Sequence, residues 1–502
     1  MQKDGRTMNK IGFDSEKYLS MQSARIEERL GDFGGKLYLE FGGKLFDDFH
    51  AARVLPGFAP DNKIKMLEKL KDRAEIVIVI SSQDIAMNKV RADLGITYDA
   101  DVLRLIDIFR SYGLYVGSIV LTKFAEDNEA AKIFQRRLEK LGFRVYRHYP
   151  IKGYPSNVPY IVSDEGFGKN EYIETERNLV VVTAPGPGSG KMATCLSQLY
   201  HEFRRGQKAG YAKYETFPIW NLPLMHPVNV AYEAATADLN DRNMIDPWHL
   251  AAYGESTVNY NRDVEIFPVL NTIFEKLMGE SPYKSPTDMG VNMAGYCISD
   301  DDACCEASRQ EILRRYYKAL VGEIKHHRDS TESDKIALLM QSLHLGVDDR
   351  AVAVAARARA VECNCPAAAI ELPDGQIVLG RTTDLFGCSA SMILNALKTL
   401  AGIEDSVKLI DRKCIMPVQE LKTRYLGGKN PRLHVDEMLV ALCSSAADNP
   451  VAQLAMEQLP KLAGCEVHTT VILSHIDEKM FRQLGVRLTS EPVYRDKTLY
   501  HE

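Results

Sequence analysis

The stretch LVVVTAPGPGSGKMATC, residues 179–195, opens with four apolar residues and runs through a glycine- and proline-rich turn to a lysine. A short continuous apolar run that ends in such a turn predicts a strand buried on both faces of a parallel sheet. The residues after the turn favour a helix. A glycine turn between a strand and a helix lets several backbone amides point at one spot, where the positive end of the helix also attracts an anion. The stretch therefore predicts a strand–turn–helix unit with a P-loop-like turn.

Apolar runs of the same kind alternate with amphipathic segments before this unit. Strands are predicted at residues 36–43, 75–82, 114–122 and 143–149, and helices at 62–73, 100–112 and 128–141. Alternation of buried strands with helices is typical of a mostly parallel sheet covered on both faces. We therefore expect an α/β domain of the phosphate-binding type over residues 1–235.

The remainder of the chain divides into two further parts. Residues 236–360 predict a helical and loop-rich middle part, with long helices at 263–277 and 300–325 and a polar linker at 326–335. Residues 361–502 predict a smaller α/β domain. It begins with a hairpin that turns at residues 373–375 and contains helices at 389–400 and 435–447.

Composition limits the class of protein. The chain has 502 residues and a formal net charge of −6, which argues against a broad nucleic-acid-binding surface. The sequence has no apolar run long enough to span a bilayer and no export signal, so we expect a cytoplasmic protein without a membrane partner. A homo-oligomer is the general expectation for a large protein of this kind.

The turn after the strand at 179–183 supplies most of the predicted ligand-binding residues. These are Gly186, Gly188, Ser189, Gly190, Lys191 and Thr194. The sequence departs from the P-loop pattern G-x-x-x-x-G-K-[ST], because Pro185 replaces the first glycine and Met192 replaces the hydroxyl residue that normally holds Mg²⁺. Phosphate binding is thus indicated more strongly than a metal-dependent step. The alternative is a tight turn with a solvated lysine.

Candidate chemical groups follow the turn and also occur earlier in the chain. Glu215 is placed at the end of the strand that follows the turn. His226 and Asp246 lie in a segment rich in aromatic and polar residues, and these three are the predicted catalytic residues. Lys44 follows two glycines at the end of the strand at 36–43 and is a candidate anion ligand. A further glycine-bounded loop at 380–387 is interpreted as an ordinary turn that caps the next helix.

Several long stretches resemble a known bacterial family. They are KLYLEFGGKLFDDFHAARVLPGF (36–58), the opening turn, KYETFPIWNLPLMHPVNVAYEAATADL (213–239) and SPTDMGVNM (285–293). Together they resemble a family built on domain of unknown function 1846, some members of which are labelled ATP-dependent zinc peptidases. The resemblance implies a bacterial cytosolic protein with the three-part organisation above, and it implies no reaction and no catalytic residues.

The peptidase label makes a prediction that can be tested on the residues. A zincin needs the pattern H-E-x-x-H, but His201-Glu202 is followed by Arg205 where the second histidine should stand. A zinc peptidase is therefore disfavoured, whereas Glu215 is a candidate either to hold a metal or to act as a general base, and the metal itself is left open.

Two functions remain from the sequence. One is binding of a small-molecule phosphate or a nucleotide such as ATP, with or without Mg²⁺, in an enzyme that acts on phosphorylated metabolites. The other is a non-catalytic scaffold or regulator that binds an anion.

Overall fold

The computed structural model of the chain describes residues 10–43, 45–46, 48–91 and 94–494. These residues form two compact units. The first is Ile11–Ala307, and the second begins at Ser308. The domain boundaries expected from the sequence, after residues 235 and 360, stay predictions.

The strands are distributed over four sheets. In chain order they are β1 (Leu37–Phe41), β2 (Ala74–Ser81), β3 (Val90–Arg91), β4 (Ile96–Thr97), β5 (Tyr115–Thr122), β6 (Arg144–Arg147), β7 (Leu179–Thr183), β8 (Gly210–Tyr214), β9 (Asn243–Ile245), β10 (Val258–Tyr260), β11 (Gly290–Val291), β12 (Ala367–Glu371), β13 (Ile377–Arg381), β14 (Glu466–Thr469) and β15 (Arg487–Ser490).

The helices surround these sheets. In chain order they are α1 (Ser15–Asp32), α2 (Phe49–Val54), α3 (Asn62–Lys69), α4 (Ser82–Ala86), α5 (Tyr98–Ser111), α6 (Glu129–Lys140), α7 (Val158–Ile161), α8 (Lys191–Arg204), α9 (Pro227–Ala235), α10 (Pro247–Tyr253), α11 (Asn261–Met278), α12 (Pro286–Met289), α13 (Asp301–His326), α14 (Thr331–Ser342), α15 (Ala351–Cys363), α16 (Cys388–Ala401), α17 (Arg412–Glu420), α18 (Val435–Ala446), α19 (Pro450–Met456) and α20 (His475–Gln483).

A seven-stranded sheet forms the centre of the first unit. Its order is β11-β8-β1-β7-β2-β5-β6, and every neighbouring pair is parallel. Successive side chains of each strand point to opposite faces. Leu179 and Val181 therefore pack with helices α1, α3, α5 and α6, whereas Val180 and Val182 pack with α8 and α11. Two apolar cores explain why the first four positions of β7 are all apolar.

The second unit contains a mixed sheet of order β13-β12-β14-β15. Strand β12 is antiparallel to β13 and β14, and β14 is parallel to β15. A separate apolar core forms between this sheet and helices α16 and α18. The structure thus confirms the predicted fold class: a parallel α/β sheet with a turn at the P-loop position, a helical middle part and a smaller α/β part at the C-terminal side.

Most individual elements agree with the prediction within a few residues. Helix α8 begins at Lys191 as expected, and β12 and β13 form the predicted hairpin. The sequence interpretation missed α1 and the short edge strand β11. None of the helices in the described part of the chain combines the length and apolar composition that a bilayer crossing demands.

Candidate functional site

The carboxyl edge of the seven-stranded sheet contains a topological switch point. Strands β1 and β7 are neighbours, but α3, which follows β1, packs on one face of the sheet, and α8, which follows β7, packs on the other. Ligands of open α/β sheets bind in the crevice that such divergent connections leave outside the strand ends. The glycine turn between β7 and α8 lies at this crevice.

The amides of the turn carry no internal partners. Within the described residues, no acceptor receives the backbone N–H of Gly186, Gly188, Ser189, Gly190 or Lys191. Gly190 occupies the N-cap position of α8 and offers no side chain to cap the helix. Several unpaired donors at the positive end of a 14-residue helix are the usual elements of an anion site.

Backbone conformation explains the glycines. Gly188 and Gly190 have φ values of +74° and +90°, in the left-handed region that L-residues with a side chain rarely adopt. Gly190 also packs against β5, since a Cβ at this position would lie 3.2 Å from the Thr122 side chain. The Thr122 hydroxyl, at the end of β5, donates to the Ser189 carbonyl at 2.6 Å, so β5 helps to hold the turn in place.

Lys191 is the cation of the turn. Its side chain is partly exposed at the first position of α8, and it forms no ion pair or hydrogen bond with any residue that the structure describes. Its charge is felt at the Cys195 thiol one helical turn later, where it opposes the rise in pKa that burial causes. The ammonium group is therefore available to a ligand at the turn.

Buried charges gather at the end of β8. The Lys213 ammonium lies 2.6 Å from a carboxylate oxygen of Glu215 and 2.6 Å from one of Asp263, at the start of α11. Burial raises the pKa of Glu215 to about 7, against the opposing effect of Lys213. Burial lowers the pKa of Lys213, but Asp263 and Glu215 outweigh this effect and raise it. Glu215 is thus a buried carboxyl group that exchanges its proton near neutral pH.

Glu40, in β1, acts electrostatically both on this charged group and on the helix that follows the turn. It is paired in register with Lys213, and its carboxylate accepts a 2.7 Å hydrogen bond from the Tyr211 hydroxyl. The same carboxylate raises the pKa values of Cys195 in α8 and of Glu215. Strand β1, which carries Glu40, lies between β8 and β7, so Glu215 and the turn are not at the ends of neighbouring strands.

The other predicted ligand residues are held within the fold. The Ser189 hydroxyl donates to the Gly186 carbonyl at 2.8 Å. The buried Thr194 hydroxyl lies 3.4 Å from Nδ1 of His148. Neither hydroxyl takes the place of the missing metal-holding residue, so the turn does not fit the usual Mg²⁺ arrangement. Lys44 lies outside the described residues.

His226 and Asp246 lie in separate local networks. Asp246 is fully buried and caps α10, accepting from the amides of Trp248 and His249 at 3.0 Å and from the Thr287 hydroxyl at 2.7 Å. These bonds occupy its carboxylate with structural partners. Neither residue is bonded to Glu215 or to the turn.

His226 belongs to a cluster with metal-ligand chemistry. Its Nε2 lies 3.0 Å from an Asp301 oxygen and 3.5 Å from the Cys305 sulfur. However, its Nδ1 accepts from the Val228 amide at 3.3 Å, which leaves the proton of the neutral ring on Nε2. A histidine that binds a metal normally donates from its other nitrogen, so this bonding opposes metal binding through Nε2.

Sequence reasoning missed Glu40, Lys213 and Asp263. Glu40 and Lys213 stand inside buried strands, where periodicity indicates only core packing, and Asp263 follows Lys213 by 50 residues. A signal was present, because a charged residue inside an otherwise apolar strand must find a buried partner.

Comparisons with known proteins cover the whole described chain. The model of the N-terminal domain of unknown function DUF1846 matches residues 11–344, and the model of its C-terminal domain matches residues 348–500. A "UPF0371 protein" of Corynebacterium diphtheriae is 61% identical over 99% of this chain and 100% of its own length. A "UPF0371 protein" of Streptococcus thermophilus is 56% identical over the same shares of the two chains.

Proposed function

The chain belongs to the DUF1846 family, and we propose that its first unit binds the phosphate group of a small molecule at the turn between β7 and α8. The observation that carries the proposal is the set of amides between Gly186 and Lys191 that, like the Lys191 side chain, find no partner among the described residues. A phosphate group accepts several such donors at once.

The position of the turn supports the same proposal. A switch point between β1 and β7 leaves room for the rest of a ligand outside the strand ends. Because Met192 replaces the metal-holding hydroxyl residue, the proposed contact with phosphate is made by amides and Lys191 and does not depend on Mg²⁺.

Glu215 is the group that we assign to proton transfer on the bound molecule. Its pKa of about 7 makes both protonation states available at neutral pH, which general acid–base catalysis requires. Glu40 lies within electrostatic range of Glu215 and of α8, so the proposed acid and the proposed phosphate site border the same polar region. The proposed function is therefore that of an enzyme acting on a phosphorylated metabolite.

Phosphate binding is tested by hydrogen exchange. Inorganic phosphate is added to the full-length protein, and mass spectrometry follows the amide hydrogens of residues 186–193. We expect phosphate to slow their exchange and Lys191→Ala to weaken binding about 10- to 100-fold, the usual value of a hydrogen bond to a charged group. Lys276→Ala is the matched control, since it removes one exposed lysine from the last turn of α11.

Two results would contradict the proposal. One is unchanged exchange of residues 186–193 at every phosphate concentration. The other is equal protection in the Lys191→Ala variant and in the Lys276→Ala control.

A further inference from the structure

The second unit contains a small cavity that the proposed function does not use. Its volume is about 60 Å³, room for a few atoms and far less than a whole nucleotide needs. The starts of α16, α18 and α20 line it, together with the end of the loop 380–387 that the sequence suggested was an ordinary turn. The lining residues that carry the argument are Ser389, Arg432, His434 and Asp477.

Helix α16 begins at this cavity without a cap. Its N-cap residue is Gly387, which has no side chain to accept a hydrogen bond. The next three amides, those of Cys388, Ser389 and Ala390, are buried and donate to no acceptor in the described ranges. A 14-residue helix thus presents three unpaired donors and its positive end to this cavity.

The Ser389 hydroxyl is an independent observation. Ser389 is 3% exposed and lines the cavity, yet its Oγ has no oxygen or nitrogen partner among the described residues, and only the Cys388 thiol lies near it. Leaving a buried hydroxyl unsatisfied is costly. A hydroxyl that donates to a bound oxygen atom removes this cost, and the neighbouring amides suit the same ligand.

A histidine that is bonded to a carboxylate lines the same cavity. Asp477 accepts a 3.0 Å hydrogen bond from Nδ1 of His434 and a 2.8 Å bond from the Val435 amide. The bond to Asp477 raises the pKa of His434 against the opposing effect of burial. Lys422 and Glu437 also face the ring, but they pair with each other at 2.7 Å. Arg432, whose Nε donates to the Thr383 carbonyl, contributes a positive charge to the lining of the cavity.

We propose that this cavity binds a single oxyanion group, phosphate or carboxylate, through the amides of residues 388–390 and the Ser389 hydroxyl. Arg432 balances its charge, and Asp477 holds the His434 ring beside it. The proposal gives the second unit a ligand site of its own, and it does not depend on phosphate binding at the turn after β7.

The test uses hydrogen exchange at a different segment of the full-length protein. Inorganic phosphate and acetate are added separately, and the amide hydrogens of residues 388–390 are followed by mass spectrometry. We expect at least one of the two ions to slow their exchange. The ion with the stronger effect identifies the class of the ligand, and no protection by either ion would overturn the proposal.

Variants separate this site from the rest of the fold. Ser389→Ala should weaken binding of the protecting ion about tenfold, and His434→Gln should weaken this binding to a similar degree, whereas Ser391→Ala should leave it unchanged. Ser391 is a matched control, because its hydroxyl is also buried without a partner, in the same helix, but does not line this cavity. Equal binding by all three variants would refute the assignment. Binding at residues 186–193 is read from a separate peptide, so failure at either site is seen independently.

Discussion

Replacement of Glu215 by glutamine should change how the stability of the first unit depends on pH. Burial raises the pKa of Glu215 from an ordinary 4.5 to about 7 in the folded protein. As pH rises from about 4.5 to about 7, the unfolded chain loses this proton while the folded chain retains it, so Glu215 lowers the free energy of unfolding across this window. The difference between the two pKa values corresponds to about 3 kcal/mol. The Glu215→Gln variant should lack this loss.

Tryptophan fluorescence provides the assay. Both tryptophans of the chain, Trp220 and Trp248, lie in the first unit, so urea unfolding followed by fluorescence reports on that unit. Between pH 4.5 and pH 7, the free energy of unfolding of the variant should rise by about 3 kcal/mol relative to that of the wild type. Glu265→Gln, an exposed position on α11, is the control and should show no such gain.

The structure also says why this variant should fold. Lys213 keeps its 2.6 Å ion pair with Asp263 when Glu215 becomes an amide, so no buried ammonium group is left without a partner. A stability difference between variant and wild type that stays constant across this pH range would refute the assignment of a raised pKa to Glu215.

Two further predictions concern stability. Gly190→Ala should lower thermal stability more than Gly188→Ala does. Both positions have positive φ, which costs a residue with a side chain about 1–2 kcal/mol, but only a Cβ at 190 would also press on β5. Equal losses of stability in the two variants would contradict the packing argument. Glu466→Gln should destabilise the second unit by about 3–5 kcal/mol, since Arg350 would be left buried without a carboxylate and Arg314 would keep only its 2.8 Å pair with Glu311, as measured by hydrogen exchange in β14 during urea unfolding. Although burial alone raises the pKa of Glu466, these arginines lower it to about 2, so the stabilisation is complete above about pH 4.5 and should disappear as pH falls towards 2.

The sequence was sufficient for the parallel sheet because each central strand carries its own signal. The four apolar residues at the start of β7 indicate burial on both faces, and the glycine turn marks the end of the strand. The start of α8 at Lys191 could be predicted for the same local reason. Helix α1 was missed although its residues Leu19, Ile26 and Leu30 are buried at helical spacing.

Strand order and the charged group could not be predicted in the same way. Whether β8 lies beside β7 or beside β1 depends on pairing between distant segments, and no local pattern specifies it. The pair formed by His434 and Asp477 is 43 residues apart in the chain and depends on how two helix starts meet. Local patterns indicate which side chains are buried, whereas the partners of a buried charge follow from the topology.

The topology also gives the end of β8 its chemical character. Because β1 and β8 are parallel and in register, Glu40 and Lys213 lie side by side, and the α11 start adds Asp263. Glu40, Asp263 and Glu215 are then three carboxyl groups near the buried ammonium group of Lys213. Full ionisation would leave excess negative charge in a region of low polarity, which is costly. This cost is smallest when one carboxyl group stays protonated. Glu215 is that group, because burial and its acidic neighbours both raise its pKa. A phosphate group at the proposed site would add negative charge at the sheet edge where the parallel strands β7 and β8 both end, and would strengthen the hold of Glu215 on its proton, so the proposed ligand and the proposed acid favour each other.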